Sequence, residues 1–136
     1  MKKTMIMKKK KLEGLRWFLA SCGHACRGIG FAIRSQRNFR IHVLAGVLVP
    51  AAAVALRFSS VKLILTLLTV MLVILGELLN TALEFALNLV EARDHPVVRT
   101  AKDIAAGGVL LAVFGSVLVG LLLFGPPLWV LIRGCF

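Results

Sequence analysis

Gly76-Glu77-Leu78-Leu79-Asn80-Thr81-Ala82-Leu83-Glu84-Phe85-Ala86-Leu87-Asn88-Leu89-Val90-Glu91 is the stretch on which the fold turns. It continues a very apolar run that begins at Val61. Within it, polar side chains stand at Glu77, Asn80, Thr81, Glu84, Asn88 and Glu91. At ~100° per residue these positions fall within roughly 100° of one helix face. Leu78, Leu79, Ala82, Leu83, Phe85, Ala86 and Leu89 take most of the remainder. A carboxylate stripe on a lipid-compatible helix is costly unless it is paired, cation-bound or set in a wet cavity, so the stripe reads first as a functional site.

The surrounding composition says what kind of chain carries it. Of 136 residues, 59% are hydrophobic, and the mean hydropathy is +0.89. That is too apolar for an ordinary soluble domain. Three or four membrane helices fill such a length, so we expect one all-α membrane domain, residues 12–136, behind a basic tail at 1–11. No internal repeat is visible. The net charge is +11, and eleven of the seventeen Lys and Arg residues lie at or before Arg40. Because this basic segment precedes hydrophobic spans, it points to membrane topology and anionic lipid contact rather than to nucleic acid. Cys22 and Cys26 bracket His24 without a fourth ligand nearby, so they read as reduced apolar side chains rather than as a zinc site. Residues 12–30 hold Glu13, Arg16, His24 and Arg27, which leaves no clean signal-peptide core, and the N-terminus reads as retained.

Taken in order, residues 12–36 suit an amphipathic helix on the membrane surface, with Gly14, Gly23, Gly28 and Gly30 marking a break or close packing. Residues 35–42, Ser-Gln-Arg-Asn-Phe-Arg-Ile-His, form a polar cluster that can snorkel or meet phosphates. The first span is expected over about 41–56, ~24 Å long and short for a ~30 Å core. The second runs over about 63–90 and the third over about 98–124. Ala105, Ala106, Gly107 and Gly108 offer the third span a small-residue packing face, and Gly125-Pro126-Pro127 is expected to stop it. Arg93, Arg99 and Lys102 flank one loop, whereas the other holds Arg57 and Lys62. The positive-inside rule therefore puts the N-terminus and residues 91–102 in the cytoplasm.

This topology gathers Glu77, Asn80, Glu84, Lys102, Asp103 and the 35–42 arginines at one cytoplasmic locus, with Asp94 and His95 beside it. Glu77 and Glu84 lie two turns apart, ~10 Å along the axis, so they can face one cleft and do different jobs. Hard oxygen ligands favour Mg²⁺, and a lysine beside metal-bound carboxylates is the minimum equipment for phosphoryl transfer. There is no Walker or kinase glycine-rich loop. On these grounds three readings stay open: phosphoryl transfer, a small cation or proton translocator using the same carboxylates, and a non-catalytic membrane adaptor held by helix–helix polar contacts.

Glu77-Leu-Leu-Asn-Thr-Ala-Leu-Glu84 resembles the E-[IL]-L-N-[ST]-A-[IL]-E signature of the small prokaryotic diacylglycerol kinase and undecaprenol kinase family. Arg37-Asn-Phe-Arg-Ile-His42 is similar to that family's R-N-x-R-x-H, and Ala101-Lys-Asp-Ile-Ala-Ala-Gly107 to its A-K-D-[MIV]-[AG]-[AS]-[AG]. Ser21, Ala25 and Gly28 fit its surface-helix pattern, so the resemblance spans about residues 15–125. It implies a homotrimer of three-span subunits with a surface helix and an active site shared between neighbours, in a bacterial inner or plasma membrane. It implies ATP with Mg²⁺ from the cytoplasm and a lipid alcohol from the bilayer, undecaprenol ahead of diacylglycerol. Carried over by position, Glu77 is the general base and Asn80 its positioner. Glu84 is a metal ligand, and Gln36 stands where related chains often have a second metal-binding Glu. Lys102 and Asp103 hold the nucleotide phosphates. His24, Asp94 and His95 fall at nucleotide-contact positions, His24 where some members have Tyr. Arg37, Asn38 and Arg40 fall at substrate- and phosphate-contact positions. Asn88 and Glu91 read as the helix emerging into water.

Overall fold

The computed structural model describes the backbone of residues 2–90 and 95–134 and the side chains of 13–89 and 95–133. The described backbone is helical apart from short joints: α1 (Lys2–Ser35), α2 (Arg37–Ala55), α3 (Ser60–Val90) and α4 (Pro96–Gly134). Residues 1–35 and 36–136 form two compact units. The first is α1 alone; the second is a bundle in which α3 packs against both α2 and α4. Three of the helices, α2, α3 and α4, are long and apolar enough to cross a membrane. The chain is an all-α membrane protein.

The helix limits differ from the expected ones in instructive ways. Helix α1 starts ten residues before the expected surface helix and absorbs the basic tail. It is unbroken at Gly14, Gly23, Gly28 and Gly30, and a Cβ at any of these would meet nothing within 4 Å. Each glycine costs ~1 kcal/mol of helix propensity, too little to end a long helix. Helix α2 takes in the polar residues 37–40, so its 19 residues span ~28 Å, close to the ~30 Å hydrocarbon core. Gln36 precedes it with an extended backbone (φ −112°, ψ 118°). Pro50 lies inside α2, and Pro126 and Pro127 lie inside α4, which runs on to Gly134 instead of stopping at the proline pair. Proline removes one i→i−4 bond, but in lipid a helix that unwound would expose many more unsatisfied groups.

The end of α2 is a Schellman turn. Phe58 N–H bonds to Ala53 O at 3.0 Å and Arg57 N–H to Val54 O at 2.9 Å. Arg57 occupies the left-handed position at φ 53°, where glycine is the usual residue. The turn then carries Phe58 against Phe124 of α4, ring centroids 4.7 Å apart.

Packing within the bundle is narrow, and most large apolar side chains are exposed, as suits a lipid solvent. Thr66, Val73, Glu77 and Thr81 are buried along one face of α3, spaced seven, four and four residues apart. Close approach of α2 to α3 is set by Gly46, whose added Cβ would lie 3.1 Å from both Ile74 Cδ1 and Val70 Cγ1. Helix α4 meets α3 through Val109, near Gly76, and through Ser116, whose hydroxyl donates to Thr69 O at 3.3 Å. Of the expected small-residue face, a Cβ at Gly107 or Gly108 would meet nothing within 4 Å among the described residues.

Candidate active site

The stripe on α3 divides once the helices are in place. Glu77 is 5% exposed, and its carboxylate Oε1 lies 3.2 Å from His42 Nε2 of α2. Among the described residues this is its one polar partner. Glu77 is seventeen residues into α3, ~26 Å from Ser60 along the axis, near the far edge of a ~30 Å core. A buried carboxylate of α3 thus lies 3.2 Å from an imidazole of the neighbouring helix.

One turn further, Asn80 Nδ2 donates to Glu84 Oε1 at 3.2 Å. This is the i,i+4 pairing that helical spacing dictates. Asn80 Oδ1 is buried and has no hydrogen-bond partner among the described residues. A buried oxygen left without a donor is rare and marks a place for a cation or an incoming polar group. With the Glu84 carboxylate beside it, this donor set suits a hard divalent ion that keeps some of its waters.

Lys102 does not reach Glu77. Its ammonium donates to Asn88 Oδ1 at 2.7 Å, joining α4 to α3 one turn beyond Glu84. Asn88, exposed as expected near the end of α3, is therefore also a cross-helix partner. Asp103 is exposed and has no ion-pair partner among the described residues. His95 caps α4: its Nδ1 accepts from Val97 N–H at 3.3 Å and its carbonyl accepts from Arg99 N–H at 3.1 Å. Asp94 and Glu91 lie outside the described residues. Arg37, Asn38 and Arg40 are exposed on the first turns of α2, and Gln36 is half-buried just before it. His24 belongs to α1, where Arg27 donates to its Nδ1 at 2.9 Å.

A cleft of about 650 Å³ opens beside this array, between α2, α3 and α4. Its walls are apolar, from Val49 and Ala52 on α2 through Val73 on α3 to Phe124 and Leu128 on α4. His42 lines it as well. From His42 to Ala52 it follows α2 for ~15 Å, about the depth of one leaflet of hydrocarbon.

Two residues of this site were assigned no role from sequence: His42 and Asn88. His42 stood in a quoted motif, but only the α2–α3 packing reveals what it touches.

A helical membrane protein with one buried and one half-buried carboxylate, each with a polar partner, on one face of α3 is the class these features define. The chain belongs to the prokaryotic diacylglycerol kinase family, whose model matches residues 23–124, and with it to the lipid kinases. It is 42% identical to a diacylglycerol kinase of Synechocystis over 126 residues, covering 88% of this chain and 72% of that one. It is 36% identical to the undecaprenol kinase of Bacillus subtilis, covering 84% of this chain and 93% of the relative. A diacylglycerol kinase of Pseudomonas aeruginosa is 30% identical, with 76% and 84% covered.

Proposed function

We propose that this chain transfers the γ-phosphoryl group of ATP to the hydroxyl of a membrane lipid alcohol, with Glu77 as general base. The observation that carries the reading is Glu77 itself: a carboxylate 5% exposed, near the membrane boundary, and one imidazole away from an apolar cleft of about 650 Å³. The occupant we assign to that cleft is the hydrocarbon chain of the lipid alcohol. Lying there, the chain brings its hydroxyl to the His42 end.

The chemistry is then a single displacement. Glu77 accepts the hydroxyl proton, the lipid oxygen bonds to the γ-phosphorus, and the bond to the ADP oxygen breaks. Asn80 orients the acceptor. Glu84, Asn80 Oδ1 and the Gln36 carbonyl would hold Mg²⁺, which when bound neutralises charge on the phosphates. Lys102 offers the phosphates a positive charge whose one bonded partner among the described residues, Asn88, is neutral. Asp103, Asp94, His95 and His24 are assigned to the nucleotide, and Arg37, Asn38 and Arg40 to phosphate and lipid headgroup. His95, whose Nδ1 accepts from Val97 N–H at the start of α4, stands at the loop end where we place the nucleotide.

The excess of Lys and Arg before Arg40 supports a cytoplasmic N-terminus and a site open to cytoplasmic ATP in the bacterial membrane. The working unit is proposed to be a homotrimer, as the family resemblance implies. Undecaprenol and diacylglycerol are the two acceptors that the relatives' names supply. The test is purified full-length protein in mixed micelles with labelled ATP and Mg²⁺, one arm holding each lipid. Label is expected in the organic phase of at least one arm. No labelled lipid in either, with ion flux into liposomes that needs no ATP, would replace this reading by a translocator.

A further inference from the structure

Glu77 needs more than its own helix to act as a base. A glutamate has three side-chain torsions, and a base must present one oxygen to one proton at ~2.6–3.2 Å. Something has to fix that carboxylate.

The surroundings leave few candidates. On α3, Glu84 lies two turns away and is bonded by Asn80. On α4, Lys102 is engaged by Asn88, and Asp103 is exposed. On α2, Arg37 and Arg40 are exposed. Among the described residues of the bundle, His42 is the polar side chain that meets Glu77, at 3.2 Å, and it is only 22% exposed. The contact also bridges two helices. Gly46, one turn along α2, lets that helix close on Val70 and Ile74 of α3, and so sets the distance between imidazole and carboxylate.

We infer that His42 is the positioning residue of the general base. Its Nε2–H donates to Glu77 Oε1 and fixes the carboxylate, leaving Oε2 for the proton of the incoming hydroxyl. The role rests on the reading of Glu77 as base. It requires a donor at the Nε2 position and does not require that the ring titrate. His42 is then the link between the cleft it lines and the carboxylate it holds.

The test compares H42L, H42A, H42Q and E77Q in the full-length protein in mixed micelles. Each is read as kcat and as KM for ATP and for the lipid. H42L fills the space without a donor, and H42A opens the space, so packing and hydrogen bonding are separated. H42Q puts an amide N–H near the position of Nε2. Both H42L and H42A are expected to lower kcat by about 10- to 100-fold with each KM within about twofold. H42Q is expected to recover to within about fivefold of the parent enzyme. A kcat unchanged in H42L and H42A would overturn the inference, as would an H42Q as slow as H42L. E77Q at full activity would instead remove the underlying assignment of the base, an outcome distinct from either.

Discussion

Lys102 Nζ donates to Asn88 Oδ1 at 2.7 Å, so the lysine of α4 is bonded to a neutral amide and not to the carboxylates of α3. An amide partner orients an ammonium without cancelling its charge. The charge therefore stays available to an anion such as a nucleotide phosphate, whereas a lysine paired to Glu84 would have to break an ion pair first.

The two partners should respond differently to substitution. Lys102→Met is expected to lower kcat/KM for ATP by about 100-fold or more, a loss of ~3 kcal/mol of charge-assisted binding. Asn88→Leu should cost only about three- to tenfold, because it frees the lysine without removing it. Steady-state kinetics at varied ATP checks both. Equal losses would assign the bond a structural role.

Glu84 and Asn80 lead to a second expectation. If the orphaned Asn80 oxygen and the Glu84 carboxylate hold the divalent ion, chelation by EDTA abolishes turnover and added Mg²⁺ restores it. Glu84→Gln keeps the shape but removes the charge, and is expected to raise the half-activating Mg²⁺ concentration by about tenfold or more. A Mg²⁺ titration of the two proteins decides it, and superimposable curves would move the ion elsewhere.

The Schellman turn at Arg57 offers a change in stability that leaves the site alone. An L-residue at φ 53° bears a cost of ~1–2 kcal/mol that glycine avoids. Glycine's greater freedom in the unfolded chain returns part of that difference, so Arg57→Gly is expected to stabilise by ~0.5–1 kcal/mol. The reading is an increase in the midpoint of denaturation in mixed micelles at unchanged kcat.

Gly46 should tolerate nothing large. A Cβ there already meets Ile74 Cδ1 and Val70 Cγ1 at 3.1 Å. Gly46→Leu is expected to cost ~1–3 kcal/mol by overpacking and to slow turnover, since it pushes His42 away from Glu77. The same denaturation measurement, paired with an activity assay, checks this. A Leu variant with parental midpoint and rate would show that the helices are not held by this contact.

The parts of this architecture that sequence could reveal are those written in local periodicity. Three apolar runs announce three spans. The i,i+4 spacing of Asn80 and Glu84 announces their bond, because both ends lie on one helix. What could not be read lies between helices. His42 and Glu77 are 35 positions apart, and nothing in their spacing says that α2 and α3 bring them to 3.2 Å. Lys102 was expected to share one locus with Glu77 and Glu84, and only the antiparallel register shows that its bonded partner is Asn88, one turn beyond Glu84. Pro126 and Pro127 misled in a different way: their cost as helix breakers is calibrated in water, and lipid changes what the broken helix would face.

The central claim is that Glu77 takes the proton of a lipid hydroxyl. Glu77→Gln preserves the volume of the side chain but removes its basicity, so it tests that claim without emptying the site. In single-turnover lipid phosphorylation by the full-length protein, with folding checked by helical circular dichroism, the account predicts a rate at least about 1,000-fold below the parent. A well-folded E77Q that phosphorylates lipid at the parental rate would contradict it.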